Sequence, residues 1–228
     1  MTLLIVVPAR GGSKRLPRKN IALLCGKPLL LHTIDCIRQA GLLDRAVVST
    51  EDGAIAEVAQ QAAARVVMRP DEFASDAAST ESVLLDALAQ NEAAGNPRPG
   101  WIMTLPPTSP LREPETLTRF VSEIDRAPPE VDCIMSVTEN RGDFWHWNAG
   151  GEFQRLFHDA PRRQQDRAPL FEENSAIYLT RAAALQETGF ILGRKVMPIA
   201  IGTAEALDIN TAEDLELAEA LLARRQTR

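Results

Sequence analysis

The first twenty residues constrain this chain more than any other stretch. Leu3–Val7 is an unbroken run of apolar residues, and Pro8–Asn20 follows at once with two glycines, a serine and five cations. A short apolar run that ends at proline and glycine is typical of a strand buried in a parallel sheet. In open α/β sheets, ligands bind at the carboxyl ends of such strands. The sequence therefore predicts an α/β fold with a ligand site on this loop.

The composition of the loop indicates what kind of ligand it holds. Glycines allow backbone N–H groups to turn inward around an anion, and Arg and Lys side chains neutralise its charge. The loop matches neither the dinucleotide pattern G-x-G-x-x-G nor the Walker pattern G-x-x-x-x-G-K-[ST]. An ordinary turn with solvated cations is the alternative, but the position directly after a buried strand favours a polyphosphate cradle. Its members are Arg10, Gly11, Gly12, Ser13 and Lys14.

The rest of the chain alternates apolar strands with amphipathic helices as far as residue 137. Strands are expected at 46–50, 65–68, 101–105, 132–137, 175–180 and 196–201. Helices are expected from 26, from about 53, from 79, over about 113–126 and from 211. This alternation implies right-handed crossovers and a mostly parallel sheet between two layers of helices. We predict a three-layer α/β/α sandwich in which residues 1–228 form a single domain.

The alternation breaks over residues 139–173. This stretch holds Trp145, Trp147, Phe153 and other aromatic residues among many polar ones, with a turn signal at Gly150-Gly151. We expect a hairpin or arm that protrudes from the sheet. Because exposed aromatic side chains are typical of partner surfaces, the arm predicts a homodimer.

Charge and cysteine content exclude several classes of protein. The formal net charge is −6, which argues against a general nucleic-acid-binding surface. Three scattered cysteines are too few for a disulfide framework or a zinc site and favour a reducing compartment. The N-terminal apolar run has the length of neither a signal peptide nor a membrane anchor. We expect a cytoplasmic protein without membrane or nucleic-acid partners.

Asp208 and Asn210 lie between a predicted strand and a predicted helix. Alternate residues of an extended segment point the same way, so both side chains can face one Mg²⁺ ion. A helix N-cap cluster explains the same residues, and the sequence alone favours that alternative. Arg69 and Thr80 are candidates for contacts with a base and a ribose, but the sequence alone favours a loop residue and a helix-cap residue. The pair Arg162-Arg163 in the arm fits either a bidentate carboxylate contact or a solvated surface.

Several stretches together resemble the CMP-sugar nucleotidyltransferase family, and the acylneuraminate cytidylyltransferases in particular. The opening loop resembles the signature A-R-x-G-S-K-x-x-x-x-K-N, and five further stretches follow in the family's order across nearly the whole chain. The stretches are Ala9–Asn20, Val48–Asp52, Arg69–Asp76, Pro107–Arg112, Glu173–Tyr178 and Asp208–Thr211.

The resemblance implies a nucleotidyltransferase-type Rossmann-like domain whose dimer exchanges arms. It also implies a Mg²⁺-dependent enzyme that transfers CMP from CTP to a nine-carbon α-keto acid sugar and releases pyrophosphate. Arg10, Lys14 and Asp208 would act most directly on the transfer. Carried over by position, the implied contacts are Arg10, Ser13, Lys14 and Asn20 with the triphosphate and its metal, Arg69, Ala78 and Thr80 with the cytidine, Asp208 with Mg²⁺, and Arg163, Tyr178 and Phe190 with the sugar.

Two residues depart from the family pattern. Pro106 stands where the family commonly has a glutamine that contacts the sugar, and Asn210 stands where it commonly has a second aspartate. Pro106 leaves neuraminate, legionaminate and pseudaminate types open as the acceptor. The two departures together motivate a second hypothesis, a CTP-binding protein without turnover. A protein-interaction module that uses the aromatic arm is a third.

Overall fold

A computed structural model describes residues 2–70, 73 and 79–226 of the chain. The strands are β1 (Leu3–Pro8), β2 (Leu23–Leu24), β3 (Lys27–Pro28), β4 (Ala46–Thr50), β5 (Arg65–Met68), β6 (Trp101–Thr104), β7 (Cys133–Asn140), β8 (Trp145–Trp147), β9 (Phe153–Arg155), β10 (Leu170–Arg181) and β11 (Val196–Ala200). The helices are α1 (Leu29–Gln39), α2 (Gly53–Gln61), α3 (Thr80–Ala93), α4 (Pro114–Glu123), α5 (Ala182–Thr188) and α6 (Ala212–Gln226).

The main sheet has the strand order β11-β7-β10-β6-β1-β4-β5 in the described part of the chain. Strand β1 pairs in parallel with β4 on one side and with β6 on the other. The chain therefore winds outward from β1 through β4 and β5 and then returns to β6 on the opposite side. Such a reversal of strand order opens a crevice at the carboxyl ends of the two central strands, which here are β1 and β6.

Strand β1 is buried on both faces, as its unbroken apolar run predicts. Leu3, Ile5 and Val7 contribute to the core under α1, α2 and α4, whereas Leu4 and Val6 contribute to the core under α3 and α5. Successive side chains of a strand point to opposite faces, so an all-apolar strand requires a helical layer on each side. The predicted three-layer sandwich and its mostly parallel sheet are confirmed.

Strand β10 is the antiparallel member of the main sheet and lies between β6 and β7. The sequence predicts a strand at 175–180, but β10 is longer because its first residues pair with the end of β7, as Leu170 does with Asn140. The chain reaches β10 from β7 through the arm without a crossover helix, and such a return favours antiparallel pairing. Its Ser175 end therefore lies at the edge where β1, β4 and β6 finish.

The first helix begins later than predicted. Residues 23–24 and 27–28 pair as a small hairpin, and Gly26 at φ 75° makes its turn. This left-handed backbone conformation favours glycine. It is incompatible with a right-handed helix, so α1 begins only at Leu29. The predicted caps of later helices are present: the Ser79 hydroxyl accepts from Ser82 N, and Thr211 N donates to Asp214.

The arm contains a second hairpin formed by β8 and β9. The Phe153 ring stacks on Trp145 with centroids 5.5 Å apart and tilts against Trp147 at 5.1 Å. Asp143 anchors its base, with Oδ1 2.7 Å from Arg155 Nε and Oδ2 3.2 Å from Arg167 Nη2. All three rings are substantially exposed, and Trp147 reaches 70%. None of the described helices has the length and hydropathy needed to cross a membrane.

Candidate active site

A cavity of about 630 Å³ opens at the carboxyl ends of β1 and β6, where the strand order reverses. Pro8 at the end of β1 and Thr104 at the end of β6 form its floor. Tyr178 of β10, which lies beside Thr104 in the sheet register, forms one wall. The sheet topology therefore delivers the opening loop and the Tyr178 stretch to one site, although they are far apart in sequence.

The two glycines of the opening loop have different surroundings. Gly11 N donates to Glu51 Oε1 at 2.7 Å, and a Cβ on Gly11 would lie 2.4 Å from Asp52 Oδ2. Gly12 lines the cavity, and a Cβ there would meet nothing within 4 Å. In the predicted cradle, Gly11 therefore allows a close approach to α2 and gives its N–H to a carboxylate instead of the cavity. Gly12, Ser13 and Lys14 lie on the cavity wall.

Four basic side chains lie at the loop end of the cavity: Arg10, Lys14, Arg15 and Lys19. Burial lowers the pKa of the Lys19 ammonium; Asp208 opposes that effect, whereas Arg15 and Arg10 add to it. Like charges held this close repel one another, so a bound polyanion would stabilise the group. This end of the cavity is suited to a ligand with several negative charges.

Asn20 holds the backbone of the opening loop through a hydrogen bond to Arg10. Its side chain is 5% exposed, and its Nδ2 donates to Arg10 O at 2.8 Å. Its Oδ1 is buried and has no hydrogen-bond partner among the described residues. Asn20 lines the cavity, as does Arg10. The contact makes Asn20 a brace for Arg10 in addition to a predicted ligand contact.

Arg69 and Thr80 lie on the cavity wall beside the ends of β4 and β5. Arg69 Nη2 donates to Ser49 O at 2.7 Å and lies 3.6 Å from Glu51 Oε2. Burial lowers the pKa of the Arg69 guanidinium, and Glu51 counteracts this. Thr80 is the first residue of α3. Ala78, the other predicted cytidine contact, lies outside the described residues.

Asp208 and Asn210 face each other at the rim of the basic group, outside the cavity lining. Asn210 Nδ2 donates to Asp208 Oδ2 at 2.5 Å, and Asn210 Oδ1 accepts from Arg15 Nη2 at 3.1 Å and Lys19 Nζ at 3.0 Å. Ile209 between them is fully buried, and its N–H donates to Thr108 O at 2.8 Å. The predicted alternation of this extended segment is present, and so is the N-cap arrangement that follows it.

The predicted sugar contacts are divided between the cavity and the surface. Tyr178 lines the cavity, and its hydroxyl lies within hydrogen-bond distance of the Glu173 carboxylate and 3.1 Å from Ser175 Oγ. Burial and the hydrogen bond to Glu173 raise the pKa of this hydroxyl. Phe190 and Arg163 are exposed and do not line the cavity of their own chain. Arg163 lies in the arm, at the start of a short 3-10 helix.

Sequence reasoning did not single out several residues that line the cavity, among them Arg15, Lys19, Thr104 and Ser175. Arg15 and Lys19 belong to the basic loop, but their contacts with Asn210 depend on a residue almost two hundred positions away. Thr104 and Ser175 also line the cavity. The place of Thr104 at the end of a strand beside β1 was the available signal, because that edge was already the predicted ligand edge.

Comparison with known proteins gives one consistent result. The sequence profile of the family described as Cytidylyltransferase matches residues 4–228. The chain is 31% identical over 226 residues to the CMP-N,N'-diacetyllegionaminic acid synthase of Legionella pneumophila, with 97% of each chain covered. It is 28% identical to the pseudaminic acid cytidylyltransferase of Campylobacter jejuni, covering 97% of this chain and 96% of that one.

Other relatives are longer or more distant. The chain is 30% identical to the N-acylneuraminate cytidylyltransferase of Streptococcus agalactiae, but 94% of this chain spans 52% of that protein. Among solved structures, a CMP:2-keto-3-deoxy-manno-octonic acid synthetase complexed with CTP superposes with a TM-score of 0.70 at 17% identity, covering 99% of this chain and 100% of that one. The 4-diphosphocytidyl-2C-methyl-D-erythritol synthase of Anaerococcus prevotii gives 0.68 at 12% identity, covering 97% and 98%.

Proposed function

The chain belongs to the cytidylyltransferase family, and from that premise we propose that it transfers CMP from CTP to the anomeric hydroxyl of a nine-carbon α-keto acid sugar. The observation that carries this proposal is the cavity with two kinds of lining. Four basic side chains of the loop after β1 line one part of it, and Tyr178 of β10, which β6 separates from β1 in the sheet, lines another. Relatives named for legionaminic, pseudaminic and acylneuraminic acids support the acceptor class, and all three remain candidates.

The reaction requires positioning and charge stabilisation more than a protein nucleophile. The anomeric oxygen of the sugar forms a bond to the α-phosphorus of CTP, and the bond from that phosphorus to the bridging oxygen breaks. Pyrophosphate leaves, and the proton of the anomeric hydroxyl passes to water. Negative charge accumulates on that bridging oxygen in the transition state. Arg10, Lys14, Arg15 and Lys19 line the cavity, and we propose that this charge develops beside them. Preorganised cations in a partly enclosed site are an efficient form of such stabilisation.

We further propose that Mg²⁺ is the cofactor and that Asp208 is its protein ligand. The described residues contain no cluster of three or more His, Cys, Asp or Glu side chains that would hold a metal alone. Mg²⁺ is commonly held by one or two carboxylates together with substrate phosphates, so the single Asp208 carboxylate beside the basic loop fits this ion. When bound, Mg²⁺ would act as a Lewis acid on the phosphates. The Asn210 amide oxygen is already engaged by Arg15 and Lys19.

Asn210→Asp is expected to lower the Mg²⁺ concentration needed for half-maximal activity. The substitution removes the amide donor to Asp208 and places two carboxylates together, and a divalent cation relieves their repulsion. Two unit charges 4 Å apart interact by about 4 kcal/mol at an effective dielectric of 20. The measurement is a Mg²⁺ titration of pyrophosphate release, with Asp214→Asn as a control that changes a neighbouring carboxylate. If Asn210→Asp and wild type gave identical Mg²⁺ titrations, the side chain at position 210 would have no role in metal binding.

We propose that two chains associate through the arm. The exposed rings of Trp145, Trp147 and Phe153 form a continuous aromatic surface, and Arg163 of the same arm lies outside the cavity of its own chain. A dimer that exchanges arms would cover the rings and bring Arg163 to the partner's cavity. Light scattering should give about twice the 25.0 kDa chain mass, and Trp147→Ser with Phe153→Ser should reduce it to one chain. A dimer mass that survives both changes would place the interface elsewhere.

We also propose a cytoplasmic location. Cys25, Cys36 and Cys133 are unpaired, and burial raises the pKa of the Cys36 and Cys133 thiols to about 11. Unpaired cysteines are compatible with a reducing compartment, and CTP is available there.

The experiment that tests the proposed function measures pyrophosphate release with CTP, Mg²⁺ and each of three acceptors, namely an acylneuraminate, a legionaminate and a pseudaminate. A control without sugar measures the pyrophosphate that comes from hydrolysis of CTP, and this background is subtracted. Release with one acceptor above the others supports the transfer and identifies the sugar. CTP binding without release for every acceptor would support a nucleotide-binding protein without turnover, the hypothesis that Pro106 and Asn210 motivate.

A further inference from the structure

Strand β10 is irregular at the point where it reaches the cavity. Its register against β7 shifts between Glu173 and Tyr178, and Ser175 in that interval has a φ of 58°. This left-handed conformation is costly for a residue with a Cβ and is normally occupied by glycine. Such strain persists only where surrounding contacts enforce it, and it occurs preferentially at functional sites.

The contacts that enforce it come from Asn174. Its Oδ1 accepts from Ser136 Oγ at 2.6 Å and from Ala176 N at 3.2 Å, and its Nδ2 donates to Thr138 Oγ1 at 2.9 Å. Ser136 Oγ in turn accepts from Ile177 N at 2.9 Å. The bulge is thus tied to β7 on both sides of Ser175, while the Ser175 side chain is left to face the cavity.

The hydroxyl of Ser175 retains hydrogen-bonding capacity toward the cavity. Its Oγ lies 3.1 Å from the Tyr178 hydroxyl, which also contacts the Glu173 carboxylate. A phenol has a single proton, and a carboxylate is an acceptor, so Tyr178 donates to Glu173. In the 3.1 Å contact Ser175 therefore gives its one proton to the Tyr178 oxygen, and the Ser175 oxygen keeps lone pairs that can accept a hydrogen bond from a ligand.

Thr104 adds a third hydroxyl to the same wall. It is paired with Tyr178 in the sheet register, is 1% exposed, and its Oγ1 is buried without a hydrogen-bond partner among the described residues. A buried hydroxyl without a partner is costly unless a ligand or water completes it. We call Thr104, Ser175 and Tyr178 the hydroxyl cluster. It lines the cavity together with the basic group, so one ligand can contact both.

We propose that the hydroxyl cluster recognises a neutral hydroxyl or acylamino substituent of the acceptor sugar, and that Ser175 is a specificity residue for it. This inference rests on the proposed function. A neutral substituent is favoured over the sugar carboxylate because Glu173 places a negative charge beside the cluster. In a regular strand, successive side chains point to opposite faces of the sheet. The left-handed backbone at Ser175 departs from that pattern and directs its hydroxyl into the cavity.

The test compares Ser175→Ala, which removes the hydroxyl and keeps the backbone strain, with Ser175→Gly, which removes both. Each is expected to raise the KM for the acceptor about 3- to 10-fold, the loss of one neutral hydrogen bond, and to leave the KM for CTP unchanged. Ser175→Gly should also raise the Tm by about 2 °C because it relieves the strain. Ala63→Gly is the matched control: Ala63 has a φ of 55° outside the cavity, so its Tm should rise without a change in either KM.

The outcomes separate this inference from the proposed function. If the wild type turns over and Ser175→Ala has the same acceptor KM, the role of Ser175 is overturned and the transfer reaction is retained. A rise in acceptor KM for Ser175→Gly alone would assign the effect to the backbone and also overturn the hydroxyl contact. Absence of wild-type turnover with all three acceptors would overturn both proposals together.

Discussion

Lys14→Ala is expected to lower kcat/KM for CTP by about 10²- to 10³-fold while the Tm stays within about 1 °C of wild type. Lys14 is exposed on the cavity wall beside Arg10, Arg15 and Lys19. Removing one preorganised donor from a site of developing negative charge costs about 2.7–4 kcal/mol of transition-state stabilisation. Because the side chain lies outside the hydrophobic core, the fold does not depend on it. The loss should therefore appear in catalysis alone.

The Lys14 prediction is measured by pyrophosphate release and a thermal melt of the same samples. Lys195→Ala is the matched control, because Lys195 is an exposed lysine that pairs with Glu130 at 3.0 Å and does not line the cavity. Lys14→Arg keeps the charge with a different geometry and should retain part of the activity. If Lys14→Ala and Lys195→Ala had equal kcat/KM values, the leaving pyrophosphate would have to be stabilised elsewhere.

The sequence predicted the parts of the site that depend on local pattern. The apolar run Leu3–Val7 required a buried parallel strand, so the position of the loop after it followed from sheet topology. The cap at Ser79 and the alternation around Ile209 were equally local, and the structure contains both. Each depends on a few neighbouring residues, and local patterns of that kind are what a sequence encodes directly.

The remaining parts depend on contacts between distant residues. The register of β10 places Tyr178 beside Thr104, but no local pattern shows which strand β10 will pair with. Gly11 appeared to be a phosphate-binding residue, and only the approach of Glu51 and Asp52 shows where its N–H is directed. Pairings between distant segments are set by the whole sheet, so they become visible only with the structure.

Arg112→Met is expected to reduce the free energy of unfolding by about 3–5 kcal/mol, because it leaves three buried or partly buried acceptors without their donor. Arg112 is 4% exposed, and burial lowers its pKa to about 10, so the guanidinium stays charged at neutral pH. Its Nη1 donates to Ala176 O at 2.9 Å, and its Nη2 donates to Thr33 Oγ1 and Pro106 O, both at 2.8 Å. Methionine fills the volume but leaves those three acceptors without their donor.

The position of these acceptors extends the prediction from stability to activity. Pro106 lines the cavity, and Ala176 follows Ser175 directly, so Arg112 joins two segments of the cavity wall through their carbonyl groups. Arg112 makes no ion pair with a carboxylate in the described part of the chain. Carbonyl and hydroxyl oxygens accept its hydrogen bonds and hold the wall in place, and the charges of Asp208 and Glu205 also stabilise the guanidinium. At a temperature where Arg112→Met is still folded, the acceptor KM should rise more than the KM for CTP.

Thermal and urea unfolding measure the stability loss, and a Tm decrease of about 10 °C corresponds to it for a chain of this size. Thr33→Val removes one of the three acceptors and should cost about 1–2 kcal/mol, so it keeps the prediction testable if Arg112→Met fails to fold. Arg119→Met is the control, because Arg119 is exposed and donates to Ala200 O at 2.8 Å on the protein surface. Equal stability losses for Arg112→Met and Arg119→Met would show that the buried guanidinium does not join the two segments. A large stability loss for Arg112→Met alone, with a larger rise in the acceptor KM than in the KM for CTP, would show that the guanidinium joins the two segments.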